Sequence, residues 1–257
     1  MTKSLFIGGL KINIEVAGQG EPLLILHGWG DSLDSWLQVQ EILVKNGFKV
    51  LVPDLPGFGK SDAPKSVWDL NDYSRFLLNL SQELGLPKFF LIGHSFGGRI
   101  CIKFINTYPD KVRGLVLVDS GGIKLKLDFK TKVIYGLARL GKFLFSHRLL
   151  RSFQKTAQTL FYFVLRKRDY IKARGIMRQI LKKVIEDDLL PEAGQIQTRT
   201  LLVWGERDKS IPVKAAHIFK RAIKNSQLKI FPGIGHSPHK QAPEQLADTI
   251  IEFIKKR

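Results

Sequence analysis

Cysteine is nearly absent from this chain of 257 residues: Cys101 stands alone, beside two methionines. One thiol cannot close an internal disulfide, so the small disulfide-stapled scaffolds are excluded and stability has to come from a packed core. Cys101 falls on the apolar face of a helix-spaced segment and is read as a small buried hydrophobe. Runs of membrane-spanning length, about 20 apolar residues, are also missing; the patch at 160–165 is far too short. A secretory leader is not visible either, because the short apolar run after Met1-Thr2-Lys3 is broken by Gly8-Gly9 and reads as an edge strand. The expectation is a cytoplasmic protein. Internal repeats and low-complexity tracts are lacking, which argues against solenoids and disordered arrays. Carboxylates are scarce, with 23 Asp plus Glu against 41 Lys plus Arg and a net charge of +18. That balance favours anionic surroundings and says nothing about the fold.

What is present is ordinary for a soluble domain, 44% apolar and 25% charged residues, in a length that suits one α/β domain with one insertion. Two short strands are expected at 4–10 and 11–17, joined tightly at Gly8-Gly9. Short apolar runs at 22–26, 49–53, 88–92 and 114–118 have the composition of strands covered on both faces. Between them, helical spacing occupies 35–45, 70–84 and 96–108. Such alternation describes a parallel sheet with helices on both sides. It breaks from about 124 to 193, where amphipathic segments rich in Lys, Arg, Phe and Leu replace strands. It resumes with a strand at 200–204, a helix near 213–222, a strand at 227–231 and a last helix at 243–256. The domain reading is a core of residues 1–120 and 195–257 with a helical cap at 121–194, set over the carboxyl ends of the strands where such sheets bind ligands.

The segment Gly93-His94-Ser95-Phe96-Gly97-Gly98 organises the chemistry. Strand, G-x-S-x-G and helix follow one another, a context that places a serine on a sharp turn with its hydroxyl exposed. Gly93 and Gly97 flank it because side chains there would strike the neighbouring strand or helix. A serine hydroxyl needs a base, and the base needs a partner to hold its tautomer. Of six histidines, His236 follows the last strand in a loop of small residues, and His239 is its main rival, at the start of the next helix. His94 should point away from Ser95, His27 is read as a strand-end histidine bonded locally, and His147 and His217 as surface or cap residues. The acid should follow another strand: Asp208 is the candidate, and Asp119 the competitor whose plain alternative is a capping carboxylate.

Five motifs, HGWGDS (27–32), DLPGFGKSD (54–62), GHSFGG (93–98), WGERDKSIP (204–212) and GIGHSPH (233–239), occur in this order. Together they make the chain from about residue 5 to 257 resemble the α/β-hydrolase superfamily, specifically the bacterial cap-bearing serine hydrolases and esterases. The resemblance implies a mostly parallel central sheet flanked by helices with an inserted helical cap. It implies a catalytic triad of Ser95, Asp208 and His236, in the nucleophile–acid–histidine order of that fold. It also implies an oxyanion hole from the backbone N–H groups of Trp29 and Phe96, a turn-shaping role for 54–61, and neither metal nor organic cofactor. Serine at 95 rather than aspartate argues against haloalkane dehalogenases and epoxide hydrolases, and HGWG is unlike the HGGPG-type loop of proline iminopeptidases. The expected activity is cleavage of a carboxylic ester or related acyl bond through an acyl-enzyme. Carbon–carbon bond hydrolysis of the meta-cleavage type, and a ligand receptor that does not turn over, are the alternatives.

Between 121 and 199 there are 18 Lys plus Arg against 6 Asp plus Glu, interleaved with Phe143, Phe145, Phe153, Phe161 and Phe163. One reading is a lid that touches an anionic membrane or an acidic acyl substrate. The preferred one is a solvated lid whose apolar residues line an acyl pocket. The expected partner is a small acyl substrate, with peripheral membrane contact the alternative; no nucleic-acid-binding motif is present.

Overall fold

The computed structural model describes residues 2–124 and 173–256, so the phenylalanine-rich stretch expected to form a cap lies outside the described residues. Eight strands form one sheet: β1 (Thr2–Ile7), β2 (Leu10–Ala17), β3 (Glu21–Leu26), β4 (Phe48–Pro53), β5 (Phe89–His94), β6 (Val112–Val118), β7 (Thr200–Gly205) and β8 (Ser226–Phe231). Their order is β1-β2-β4-β3-β5-β6-β7-β8. β1 and β2 form an antiparallel hairpin closed by the pair Ile7–Leu10. The two residues between, Gly8 and Gly9, have φ of 57° and 78°, the left-handed backbone that a tight hairpin turn requires. β2 meets β4 antiparallel, and all later pairings are parallel.

Eight α-helices are described: α1 (Leu37–Lys45), α2 (Leu70–Glu83), α3 (Phe96–Thr107), α4 (Gly175–Glu186), α5 (Leu190–Gln195), α6 (Lys214–Ala222), α7 (Pro238–Gln241) and α8 (Pro243–Lys255). Because strand side chains alternate between faces, β3 sends Leu23 and Ile25 into one core and Leu24 and Leu26 into the other. The first core holds Trp36, Val39 and Leu43 from the α1 side and Leu246, Ile250 and Phe253 from α8. The second holds Tyr73, Phe76 and Leu77 of α2, Ile100 and Phe104 of α3, and Phe219 of α6. Each fully buried side chain of this size stabilises the fold by about 1.5–3 kcal/mol. Cys101 is buried in that second core, without a disulfide partner.

α2 starts at a reciprocal cap in which Asp69 accepts from the Asn71 and Asp72 amides and Asp72 accepts from the Asp69 amide. The described part of the insertion is helical and tied to this core. Lys183 of α4 pairs with Asp69 at 3.3 Å, Lys103 of α3 with Glu192 of α5 at 3.1 Å, and Arg99 donates to the carbonyls of Val184 and Asp187. Among the described residues no helix is long and apolar enough to cross a membrane.

From β3 the chain steps outward to β4, then crosses to β5 on the other side, so the sheet has its switch point at the carboxyl end of β3. Ligands bind open α/β sheets at that point. The loops after β3, β5, β6, β7 and β8 carry Trp29, Ser95, Asp119, Asp208 and His236.

Candidate active site

Ser95 joins β5 to α3 with φ 51° and ψ −108°, a conformation costly for a residue with a side chain. The surroundings over-determine it. Its amide donates to the Val118 carbonyl at 3.1 Å, and its carbonyl accepts from Gly121 at 3.0 Å, so the turn is laced to the end of β6. A Cβ on Gly97 would lie 2.3 Å from the backbone oxygen of Leu26, and one on Gly93 would lie 2.5 Å from Cys101 Sγ. Both flanking glycines are therefore steric necessities, one against a strand end and the other against α3.

The serine hydroxyl lies 3.1 Å from His236 Nε2. On the other side of the ring, Nδ1 lies 2.7 Å from Asp208 Oδ2. The tautomer that satisfies both contacts has Nδ1–H donating to Asp208 and Nε2 accepting from Ser95 Oγ–H. Asp208 is held in turn by the amides of Ser210 and Ile211, which donate to Oδ1 at 2.7 and 2.9 Å. The side chain of Asp208 is fully buried while that of His236 is 26% exposed, so one side of the imidazole faces the carboxylate and another remains open to a ligand. Backbone contacts fix the loop of His236: Gly205 approaches the Gly235 carbonyl so closely that a Cβ would sit 2.1 Å from it. Gly235 also donates to Gln241 Oε1 at 2.8 Å.

Gly28 and Trp29 lie against this arrangement, since a Cβ on Gly28 would fall 3.4 Å from Ser95 Cβ and 2.8 Å from His94 Nδ1. Phe96 is the first residue of α3, where N–H groups have no acceptor within the helix. The Trp29 ring stands edge-on to Phe58 and Phe96, at 4.8 and 5.1 Å between centroids. Met177 of α4 reaches the adjoining turn, within 2.4 Å of where a Cβ on Gly57 would be. The neighbouring turn hangs on Asp54, which accepts from Asn13 Nδ2 and from the amides of Leu33 and Lys60.

The other histidines separate cleanly. His27 is fully buried, donating from Nδ1 to the Gly28 carbonyl and accepting from the Leu55 amide at Nε2; burial holds its pKa below the ordinary histidine value. His94 turns to the rear of the site and donates from Nε2 to the His236 carbonyl at 2.7 Å. Burial, then the nearby His239 and His236, push its pKa well down. His239 begins α7, stacks on Trp36 at 4.7 Å with the rings 5° apart, and lies 3.5 Å from Asp31. Burial lowers its pKa against the pull of Asp31. Asp31 is itself held low by His239 and Lys240, although burial acts to raise it. His239 thus packs behind the His236 loop, and the structure brings His236, not His239, to Ser95.

Asp119 is more than a loop cap. It lies at the end of β6 with φ 42°, fully buried, accepting the Gly205 amide at Oδ1, and the nearest ligand-type atoms of Asp119, Asp208 and His236 lie within 4.8 Å of one another. This trio is the metal-capable cluster among the described residues. Asp208 and His236 are engaged with each other, with Ser95 and with backbone amides, and Asp119 Oδ1 takes the Gly205 amide, while Asp119 Oδ2 has no hydrogen-bond partner among the described residues. Sequence reasoning placed Asp119 beside a strand end but missed its neighbour; the available signal was a carboxylate closing an otherwise apolar strand.

A family model described as the alpha/beta hydrolase fold matches residues 21–243. The chain belongs to the α/β-hydrolase family. This α/β hydrolase is 29% identical over 252 residues to Lipase 1 of Psychrobacter immobilis, covering 91% of this chain and 77% of the lipase. It is 28% identical over 262 residues to a 2-hydroxy-6-oxononadienedioate/2-hydroxy-6-oxononatrienedioate hydrolase of Escherichia coli, covering 95% and 91%. An esterase of Exiguobacterium antarcticum has the same fold, with a TM-score of 0.78 at 22% identity over the whole of both chains.

Proposed function

We propose that the protein is a serine hydrolase that cleaves a carboxylic ester or related acyl bond through an acyl-enzyme. The observation that carries this reading is the unbroken chain Ser95 Oγ, His236 and Asp208, with contacts of 3.1 and 2.7 Å, on a strained strand-to-helix turn. Ser95 Oγ attacks the acyl carbon while His236 Nε2 takes its proton. Asp208 holds the ring and stabilises the imidazolium. The Trp29 and Phe96 amides receive the oxyanion, a contribution typically worth 10²–10³ in kcat for each donor. His236 returns the proton to the departing alcohol oxygen; it then deprotonates a water that attacks the acyl-enzyme and releases the acid and Ser95. The cluster of Trp29, Phe58 and Phe96 rings beside Ser95 suits an apolar acyl group.

The E. coli relative named for a dienedioate hydrolase supports a second reading, carbon–carbon bond cleavage at the same serine. A panel of p-nitrophenyl esters of increasing chain length, with an anionic vinylogous diketone beside them, separates the two. Ester turnover that vanishes in a folded Ser95→Ala protein is the expected result. Preference for the diketone selects the second reading, and wild-type ester rates in Ser95→Ala sink both.

A further inference from the structure

Beneath His236 the site holds two carboxyl groups where the proposed chemistry uses one. Asp208 has its acceptor positions nearly filled: Oδ1 takes the amides of Ser210 and Ile211, and Oδ2 takes His236 Nδ1–H. One lone-pair direction, on Oδ2, remains. Asp119 Oδ1 takes the Gly205 amide at 3.0 Å, but its Oδ2 is buried and receives no hydrogen bond among the described residues. A buried, bare carboxylate oxygen beside a second carboxylate is a costly arrangement. It is resolved if that oxygen carries a proton, because the group then has a donor and Asp208 has the vacant acceptor.

We infer that Asp119 is a neutral carboxylic acid at neutral pH, donating its proton to Asp208 Oδ2, so that the pair carries one negative charge under His236. The role rests on the Ser95 hydrolase reading; the protonation does not. Its surroundings agree. Burial, then the charge on Asp208, push the Asp119 carboxyl up to about 9, against the Gly205 amide. The ionisable groups facing it among the described residues are Asp208 and His236. The nearby cation, Arg99, packs on Gly121 and donates from Nη1 to the Val184 and Asp187 carbonyls. The left-handed backbone of Asp119 is pinned by its amide to the Val203 carbonyl at 2.9 Å, and the residue is fully buried, so the carboxyl is held away from water. Asp119 is thus a positioning residue. It fixes the rotamer of Asp208 and shares the charge that faces the imidazolium. It is also an acid in reserve: with Asp208 neutralised, Asp119 can release its proton to solvent and put the negative charge back beside His236.

The first test needs no activity. Unfolded, Asp119 loses its proton above about pH 4, whereas the folded protein retains it, so the contribution of Asp119 to the folding equilibrium becomes steadily less favourable as pH rises. Asp119→Asn keeps a donor without that linkage. Urea unfolding at pH 5 to 8 should show the folding equilibrium constant of Asp119→Asn gaining on the wild type about tenfold per pH unit. A difference that is flat with pH overturns the inference. Should Asp119→Asn fail to fold, the wild-type infrared spectrum decides: the carbonyl stretch of a protonated carboxyl is expected at pH 7, and its absence refutes the proposal. For the role itself, Asp119→Ala should lower kcat/KM about tenfold, with Asn restoring most of it; equal loss in both variants overturns the donor role. Asp208→Asn should keep a residual rate that climbs with pH, and adding Asp119→Asn should abolish it. Loss of that residue of activity already in the single variant overturns the reserve role.

Discussion

Mild acid should destabilise this protein through its rear histidines. His27, His94 and His239 are 0%, 4% and 0% exposed, and burial is the leading cause that lowers each below the ordinary value of 6.5. The unfolded chain takes up a proton at each near that pH and the folded one resists, so their stabilisation is intact above about 6.5 and lost as pH falls. Each proton is worth about 1.4 kcal/mol per pH unit once uptake by the unfolded chain is complete. Asp119, pushed up to about 9 from an ordinary 3.8, works in the opposite sense. It holds a proton in the folded state that the unfolded state lacks across that window, so its contribution is lost as pH rises. Asp31, held low, contributes stability that is lost only below about 4 and leaves this window untouched. If the folded protein takes up none of these protons above pH 5, three histidine protons against one aspartate proton give a net loss of about 2 kcal/mol between pH 6.5 and 5.5, about 3 by pH 5.0, and a stability maximum near pH 7. With a urea slope of about 1–3 kcal/mol/M, the midpoint should move by roughly 1 M over the first of these intervals. Urea titrations of the wild type and of His239→Phe, which keeps the stack on Trp36, measure it; the variant should lose about a third of the histidine effect. A midpoint constant to within about 0.2 M from pH 6.5 to 5.5 would refute the reasoning.

Two glycines should respond with opposite signs. Gly97→Ala places its Cβ 2.3 Å from the Leu26 backbone oxygen and should cost at least about 2 kcal/mol in urea unfolding. Gly194→Ala, in α5 with open space around it, should gain about 0.5–1 kcal/mol. In turnover, His236→Ala should lose about 10³-fold or more, while His239→Phe loses far less; the reverse ranking by steady-state kinetics would move the base to α7.

Much of this molecule was legible in its sequence because local rules dominate there. Alternating apolar runs and helix-spaced segments gave the strand and helix order, since a strand covered on both faces has to be apolar throughout. Gly93 and Gly97 marked the turn of Ser95 because no side chain fits at either position, and the spacing of Trp204 to Pro212 put Asp208 past a strand end. Local pattern favoured His236 over His239, three residues on at the start of the next helix, but could not show where either ring points. The fold chose, by stacking His239 on Trp36 and turning His236 toward a serine 141 residues away. Nor could it pair Asp119 with Asp208, which meet only because β6 and β7 are neighbours and Gly205 donates across them. Strand neighbours are set by long-range packing of the two cores. A proton shared between two carboxyl groups follows from that packing, not from any motif.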